Sequence, residues 1–318
     1  MNKQEKYDWM VYVCCFTYNH GPYIEETLNG FTMQKTTFPY VCCIVDDAST
    51  DGEQEVVKNY LNEYFDLEDG KIVRHEETDD YISIFARHKA NKNCFFAVFY
   101  LKYNHYKKKR KAPYLSRWCD RAKYTALCEG DDYWIESEKL QRQVGFMECH
   151  PEHSLCFCAH RELFPSGQTK DVVRYVENNE ICPIEDVIVG GGDYMATNSM
   201  FYRNSLYVPY TTWAHGCPVG DLPLMLTLAH MGKVGYMADV MCVYRKSVVG
   251  SWSERKASSW KFRRNHYHAM IEMWHQFDEW SDRKYHETIL KKIRKNMVNH
   301  YKSEVKSLVG KILNKWKY

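Results

Sequence analysis

The stretch Glu129-Gly130-Asp131-Asp132, followed by Tyr133-Trp134, sets three carboxylates directly after a short apolar run, Tyr124-Thr125-Ala126-Leu127-Cys128. That run reads as a buried strand. Carboxylates this close repel one another and cannot grip a phosphate unaided. At the mouth of a sheet they make sense with a divalent cation between them and a diphosphate. Two further polar groups follow strand-like apolar runs: Thr17-Tyr18-Asn19 after residues 10–16, and Asp46-Asp47 after residues 40–45. In open α/β sheets ligands bind beyond the carboxyl ends of the strands, so these groups converge on one crevice.

The elements that must position them alternate strand and helix, which predicts an α/β fold with a mostly parallel sheet and flanking helices. Ile24, Leu28 and Phe31 fall on one helical face, and Val56, Val57, Tyr60, Leu61 and Tyr64 form a second helix. Residues 71–74 read as a short strand and residues 91–106, rich in Phe and Tyr, as a helix. Beyond Asp132, Leu140, Val144 and Met147 mark a helix and residues 154–159 a strand. Thr197-Asn198-Ser199 interrupts an apolar segment. Asp221 opens a helix that stops at Gly232, a C′ glycine. A strand over 240–245 follows. The expected organisation is a domain over 1–255, with a nucleotide-sugar half at about 1–135 and an acceptor half at about 136–255. A helical region over 256–318 completes it. In its last part, Ile289, Ile293, Met297, Tyr301, Val305, Leu308, Ile312 and Trp316 recur at three and four residues among many Lys and Arg, a basic amphipathic helix or helix pair.

Bulk composition bounds the class. The chain has 318 residues, with 45% hydrophobic and 26% charged, as in ordinary soluble proteins. A net charge of +2 excludes a polyanionic or polycationic body. No run of about 18 apolar residues is present, so no membrane span is expected, and no signal-peptide core precedes the first strand. The 13 Cys are odd in number and scattered through apolar runs, the pattern of reduced thiols in a cytosolic protein. Cys156, Cys158 and His160 offer zinc-ligand types, but no second ligand pair has finger-like spacing. Nucleic-acid binding finds no module signature.

Residues 11–19, the run from Val45 to Asp51 and residues 127–134 together resemble the N-terminal half of family 2 glycosyltransferases of the GT-A fold, of the kind that builds bacterial surface polysaccharides. The likeness continues through Thr197-Asn198-Ser199, Gly220-Asp221 and Val243-Tyr244-Arg245, about the first 250 residues. It implies an inverting, metal-dependent transfer of a sugar from a nucleotide-diphospho-sugar, UDP-linked, to a glycan or lipid-linked acceptor. By that resemblance Thr17, Tyr18 and Asn19 line the base and ribose, Asp47 accepts from the base, and Asp131 meets ribose or metal. Asp132 holds Mg²⁺ or Mn²⁺, with Glu129, found where Asp is commoner, beside it. Asp221 is the general base, and Arg245 lies on the phosphate side. Trp134 and Trp252 are placed near the sugar.

Blander readings stand beside these. Asp46, Asp47 and Asp221 also suit turns and helix caps, and Thr197-Asn198-Ser199 either faces acceptor or satisfies backbone. The alternatives for function are a nucleotide-sugar-binding module without turnover, and a nucleotidyltransferase. The latter needs a Gly-rich basic phosphate loop that residues 17–22 do not supply. The expected location is cytoplasmic, and the basic C-terminal helix has two readings: peripheral contact with the inner membrane face, or packing on the domain.

Overall fold

The computed structural model describes residues 7–106, 112–174, 181–206, 212–248 and 259–315. Its centre is four parallel strands in the order β6 (Cys94–Leu101), β2 (Tyr40–Asp46), β1 (Trp9–Thr17) and β7 (Ala122–Leu127). All seven residues of β2 are buried, because helices cover both of its faces. Tyr40, Cys42 and Ile44 pack on α1 (Ile24–Thr32) and α2 (Glu53–Tyr64) through Leu28, Phe31, Val57 and Leu61. Val41, Cys43 and Val45 point the other way, toward Leu115 of α3 (Ala112–Cys119). Strands buried on both faces lose polar alternation and read as unbroken apolar runs.

Further strands extend this centre on both sides into one mixed 13-stranded sheet. Beyond β6 lie β5 (Tyr81–His88), the two-residue β3 (Phe65–Asp66) and the edge strand β4 (Arg74–Glu77). Beyond β7 come β12 (Phe201–Arg203), β9 (His153–Leu163), β13 (Lys233–Arg245) and β11 (Ile181–Cys182), with β10 (Thr169–Val172) on β9 and β8 (Tyr133–Trp134) on β13. The α/β architecture is as expected, and parallel pairing recurs outside the centre between β9 and β13. On one face α4 (Lys139–Cys149) joins the core of α1 and α2. A second core gathers α5 (Ile184–Gly190), α6 (Asp221–Met231), α7 (Trp260–Trp280) and the start of α8 (His286–Lys315).

Three expectations are corrected. Residues 91–106 contain the strand β6 instead of a helix. Its eight residues, Cys-Phe-Phe-Ala-Val-Phe-Tyr-Leu, are almost wholly buried between layers, and such runs carry no period that separates strand from helix. The strand expected over 71–74 begins only at Arg74 and serves as a solvent-exposed edge. Gly232 is not a left-handed C′ residue: its φ is −171°, which is extended. The glycine is required because a Cβ there would lie 2.9 Å from both the Cβ and the backbone N of Ser154.

The C-terminal helices form an antiparallel hairpin, with Tyr267 and His300 stacked at 4.0 Å between ring centroids. Its closed end is core: Met273, Trp274, Phe277, Tyr285, Ile289 and Ile293 pack against Leu222, Leu226 and Leu228 of α6. Trp274→Ala is therefore expected to cost about 3–5 kcal/mol in denaturant unfolding. Tyr301→Ala, on the exposed part of α8, should change stability by less than about 0.5 kcal/mol.

Candidate active site

The carboxyl ends of β7, β1 and β2 lie side by side, held in register beyond the strands themselves. The Gly130 N–H donates to the Phe16 carbonyl at 3.0 Å, and the Asp47 N–H to the Thr17 carbonyl at 3.0 Å. The acid loop and Asp47 thus flank the end of β1, about 10 Å apart by two strand spacings. That is the span a nucleoside covers from its base to its first phosphate. The chain runs from β1 outward to β2 and β6, then crosses back to β7, so this edge is also the topological switch point of the parallel part.

One oxygen from each of Glu129, Asp131 and Asp132 lies within 4.8 Å of the other two. Asp132 is wholly buried. One of its oxygens accepts from the Arg245 N–H at 2.8 Å, and the other has no protein partner. Burial and the charge of Asp131 raise its carboxyl well above the usual range. Glu129 is open to solvent at the cleft mouth but hemmed in by protein. Desolvation, with Asp131 and then Asp221 adding repulsion, pushes it up to about 8. An unpartnered buried oxygen among acids that destabilise each other's charge is the donor set a hard divalent cation takes, so the residues fit one. Among the described residues this is the sole such cluster; Cys156, Cys158 and His160 form no zinc site with others.

The loop is stapled to α1. Thr27 Oγ1 contacts the Asp132 carbonyl at 2.6 Å and the Gly130 carbonyl at 3.0 Å. A Cβ on Gly30 would stand 2.9 Å from the Trp134 N. Arg245, at the end of β13, closes the other side. Its guanidinium donates to the Asp131 carbonyl at 2.6 Å and to Glu26 of α1, between the rings of Tyr23 and Tyr133. Arg245 therefore braces the acid loop from behind.

The neighbouring loops are joined through Glu53, which is fully buried at the start of α2. Its carboxylate accepts from Thr17 Oγ1, from the His20 N–H at 2.9 Å and from Ser49 Oγ at 2.8 Å. Asn19 adopts φ 57°, a left-handed geometry Asn tolerates, and its side-chain oxygen accepts from the Thr50 N–H at 2.8 Å. Thr17 and Asn19 thus hold the β1 and β2 loops together, leaving Tyr18, 44% exposed, as the open side chain of that trio. One oxygen of Asp47 accepts from the His105 N–H at 2.7 Å. His20 connects the two sides: Nδ1 lies 3.2 Å from Thr17 Oγ1 and Nε2 lies 3.8 Å from Asp131. Sequence reasoning singled out neither Glu53 nor His20. Glu53 looked like an ordinary acid in a first helical turn, which the helix dipole favours anywhere.

Asp221 is the first residue of α6, and one of its oxygens accepts from the Leu222 N–H at 2.8 Å. Its carboxyl is raised by burial, opposed by that hydrogen bond and helped by Asp193. Asp221 also raises Glu129, so these two acids lie within electrostatic reach of each other. Thr197 is half-buried in a short turn over Thr197–Ser199. Two sugar-contact expectations are corrected. Trp134 is 1% exposed, packed on Phe31 at 4.9 Å, with its indole N–H donating to the Asn198 carbonyl at 3.0 Å. Asn198 is wholly buried and donates to the Val243 carbonyl. Strand alternation in β8 sends Trp134 inward and Tyr133 toward Arg245. Trp252 lies outside the described residues.

This fold, with its acid cluster at the switch point of the sheet, is the GT-A fold. S. aureus TarS 1–349 in complex with UDP-GlcNAc shares it at TM-score 0.54 and 16% identity, over 84% of this chain and 66% of that one. S. aureus TarS 1–349 superposes at TM-score 0.52 and 14% identity, over 93% and 91%. Residues 12–100 match the family model described as Glycosyl transferase family 2. Over that stretch the chain is similar to the family 2 glycosyltransferases. Uncharacterized proteins of Mycobacterium tuberculosis and Mycobacterium bovis are 28% identical over 264 residues, 81% of this chain; the chain spans 65% of their length.

A Cβ on Gly130 would lie 2.0 Å from Thr17 Oγ1 and 2.5 Å from its Cβ. Gly130→Ala should cost about 1–3 kcal/mol by overpacking and weaken UDP binding in calorimetry. Adding Thr17→Ala should recover only part of the stability, because the Cβ clash persists.

Proposed function

We propose that the enzyme transfers a sugar, with inversion, from a uridine-type nucleoside-diphospho-sugar to a hydroxyl of a glycan or lipid-linked glycan, in surface polysaccharide synthesis. One observation supports this reading: Asp47 and the Glu129–Asp132 loop flank the end of β1 at nucleoside distance. A donor-bound relative of the same fold, TarS with UDP-GlcNAc, supports the donor class.

In this reading the base lies toward Asp47 with Tyr18 beside it, and the diphosphate lies over the acid loop. Glu129, Asp131 and Asp132 would hold Mg²⁺ or Mn²⁺, which would offset the charge gathering on the leaving diphosphate. Asp221 takes the proton from the acceptor hydroxyl as that oxygen attacks the anomeric carbon. The bond from that carbon to the diphosphate oxygen breaks, and its electron pair leaves with the nucleoside diphosphate. Attack from the face opposite the leaving group inverts the centre. A base with a raised pKa is better matched to an alcohol than an ordinary carboxylate is, provided it stays ionised at the working pH. The first-turn N–H groups of α6 help it do so.

Asp131→Asn should abolish Mn²⁺-dependent UDP binding in calorimetry; equal affinity in variant and wild type would remove the cation role. Asp221→Asn should leave donor binding unchanged and lower kcat about 10²–10⁴-fold. The acid limb of the rate profile follows from the raised Asp221 carboxyl. Protonation inactivates the base as pH falls, so half-maximal kcat should lie above the ordinary carboxylate range. That limb should vanish from the residual rate of Asp221→Asn.

A further inference from the structure

The hairpin of α7 and α8 changes character along its length. At its closed end the side chains are core, whereas Met297, Val298, Tyr301 and Val305 of α8 are 39–62% exposed, as is Trp260 at 40% at the start of α7. At 100° per residue the four α8 positions fall within an arc of about 100°. The pairing of Tyr267 with His300 places the first turns of α7 beside this exposed stretch.

Charge follows the same gradient. Residues 288–318 contain nine Lys and Arg against the single Glu304, and residues 260–271 contain no acid. Lys291, Arg294, Lys295 and Lys302 are exposed along α8, and Lys261 and Arg264 along α7. The last core residue of α8 is Ile293, and the helix runs on to Lys315, about 33 Å further at 1.5 Å per residue. Aliphatic and aromatic side chains are thus interleaved with cations on a helix pair whose closed end is anchored in the core.

We propose that this open end of the hairpin docks on an anionic bilayer surface. Cations meet lipid phosphates while Tyr301, Val305 and Trp260 enter the interfacial layer, where Trp and Tyr are at home. A second copy would set like charge against like. A nucleic acid would neutralise the cations but leave Met297, Val298 and Val305 in water. No described helix is long and apolar enough to cross a membrane, so the contact is peripheral. The inference does not depend on the transfer chemistry.

Flotation of the full chain tests it, with vesicles of phosphatidylcholine alone and of phosphatidylcholine with phosphatidylglycerol. The protein should float only with the anionic vesicles, and less as salt rises. Lys295→Gln with Lys302→Gln should weaken partitioning about 30-fold. Tyr301→Ser with Val305→Ser should weaken it while leaving the salt dependence unchanged. UDP affinity should be wild-type in both variants, which shows that the fold is intact. Equal flotation with both vesicle types, or none, overturns the proposal. Dimers in sedimentation that dissociate in Tyr301→Ser with Val305→Ser, without flotation, would assign the surface to a second copy. Oligoribonucleotide binding that survives those serines, without flotation, would make it a generic polyanion surface.

Discussion

Mutual repulsion among acids that the fold forces together governs this molecule. Two unit charges about 4 Å apart still interact by about 4 kcal/mol at an effective dielectric near 20. The Glu129–Asp132 loop holds three carboxylates within that range, and Asp221 adds a fourth charge from across the cleft. A loop left to itself would splay its side chains into water. Here it cannot, because its backbone is fastened from three directions: by β1 at Gly130, by Thr27 of α1, and by Arg245 of β13. The packing energy of two cores is what keeps the acids in place.

Arg245 shows how this works. A buried guanidinium is costly unless its donors are satisfied, and among the described residues it meets Glu26, the Asp131 carbonyl and the faces of Tyr23 and Tyr133, all part of the frame of the site. Its own N–H fixes one oxygen of Asp132, which leaves the other oxygen to the cleft. Glu53 does the equivalent work between the β1 and β2 loops, with Thr17, His20 and Ser49 as its donors. Residues that touch no ligand thus decide where the ligand-facing ones stand.

How much of this the sequence disclosed follows from the range of each signal. The central strands β1, β2 and β7 and helices α1, α2, α4 and α6 were legible because local apolar runs and periods define them. The strand β6 was not, since burial on both faces erases alternation, and β5, with polar Ser83, Arg87 and His88 among apolar residues, gave no signal that was read. Within the site, the acid cluster and its place beyond β7 were legible from composition at a strand end. Trp134 follows the acids in sequence but is turned inward by the two-residue period of β8, so it lies in the core and not at the sugar. Glu53 reaches Thr17 and His20, 36 and 33 residues away, and Arg245 reaches Glu26, 219 residues away, which spacing alone does not reveal.

The acceptor side is built differently from the donor side, and that difference links the two ends of the chain. Asp221 sits on α6, whose inner face from Leu222 to Ala229 belongs to the same core as Trp274, Phe277, Ile289 and Ile293 of the hairpin. The helix that carries the candidate base therefore shares its packing with the base of the helices that carry the exposed cations. Close-packed interiors transmit displacement instead of absorbing it. A surface that held the open end of the hairpin would thereby hold α6, and with it the carboxylate of Asp221, in a fixed relation to that surface. For an acceptor itself anchored in the same bilayer, this places hydroxyl and base in one frame before they meet, which is the condition under which orientation lowers a barrier.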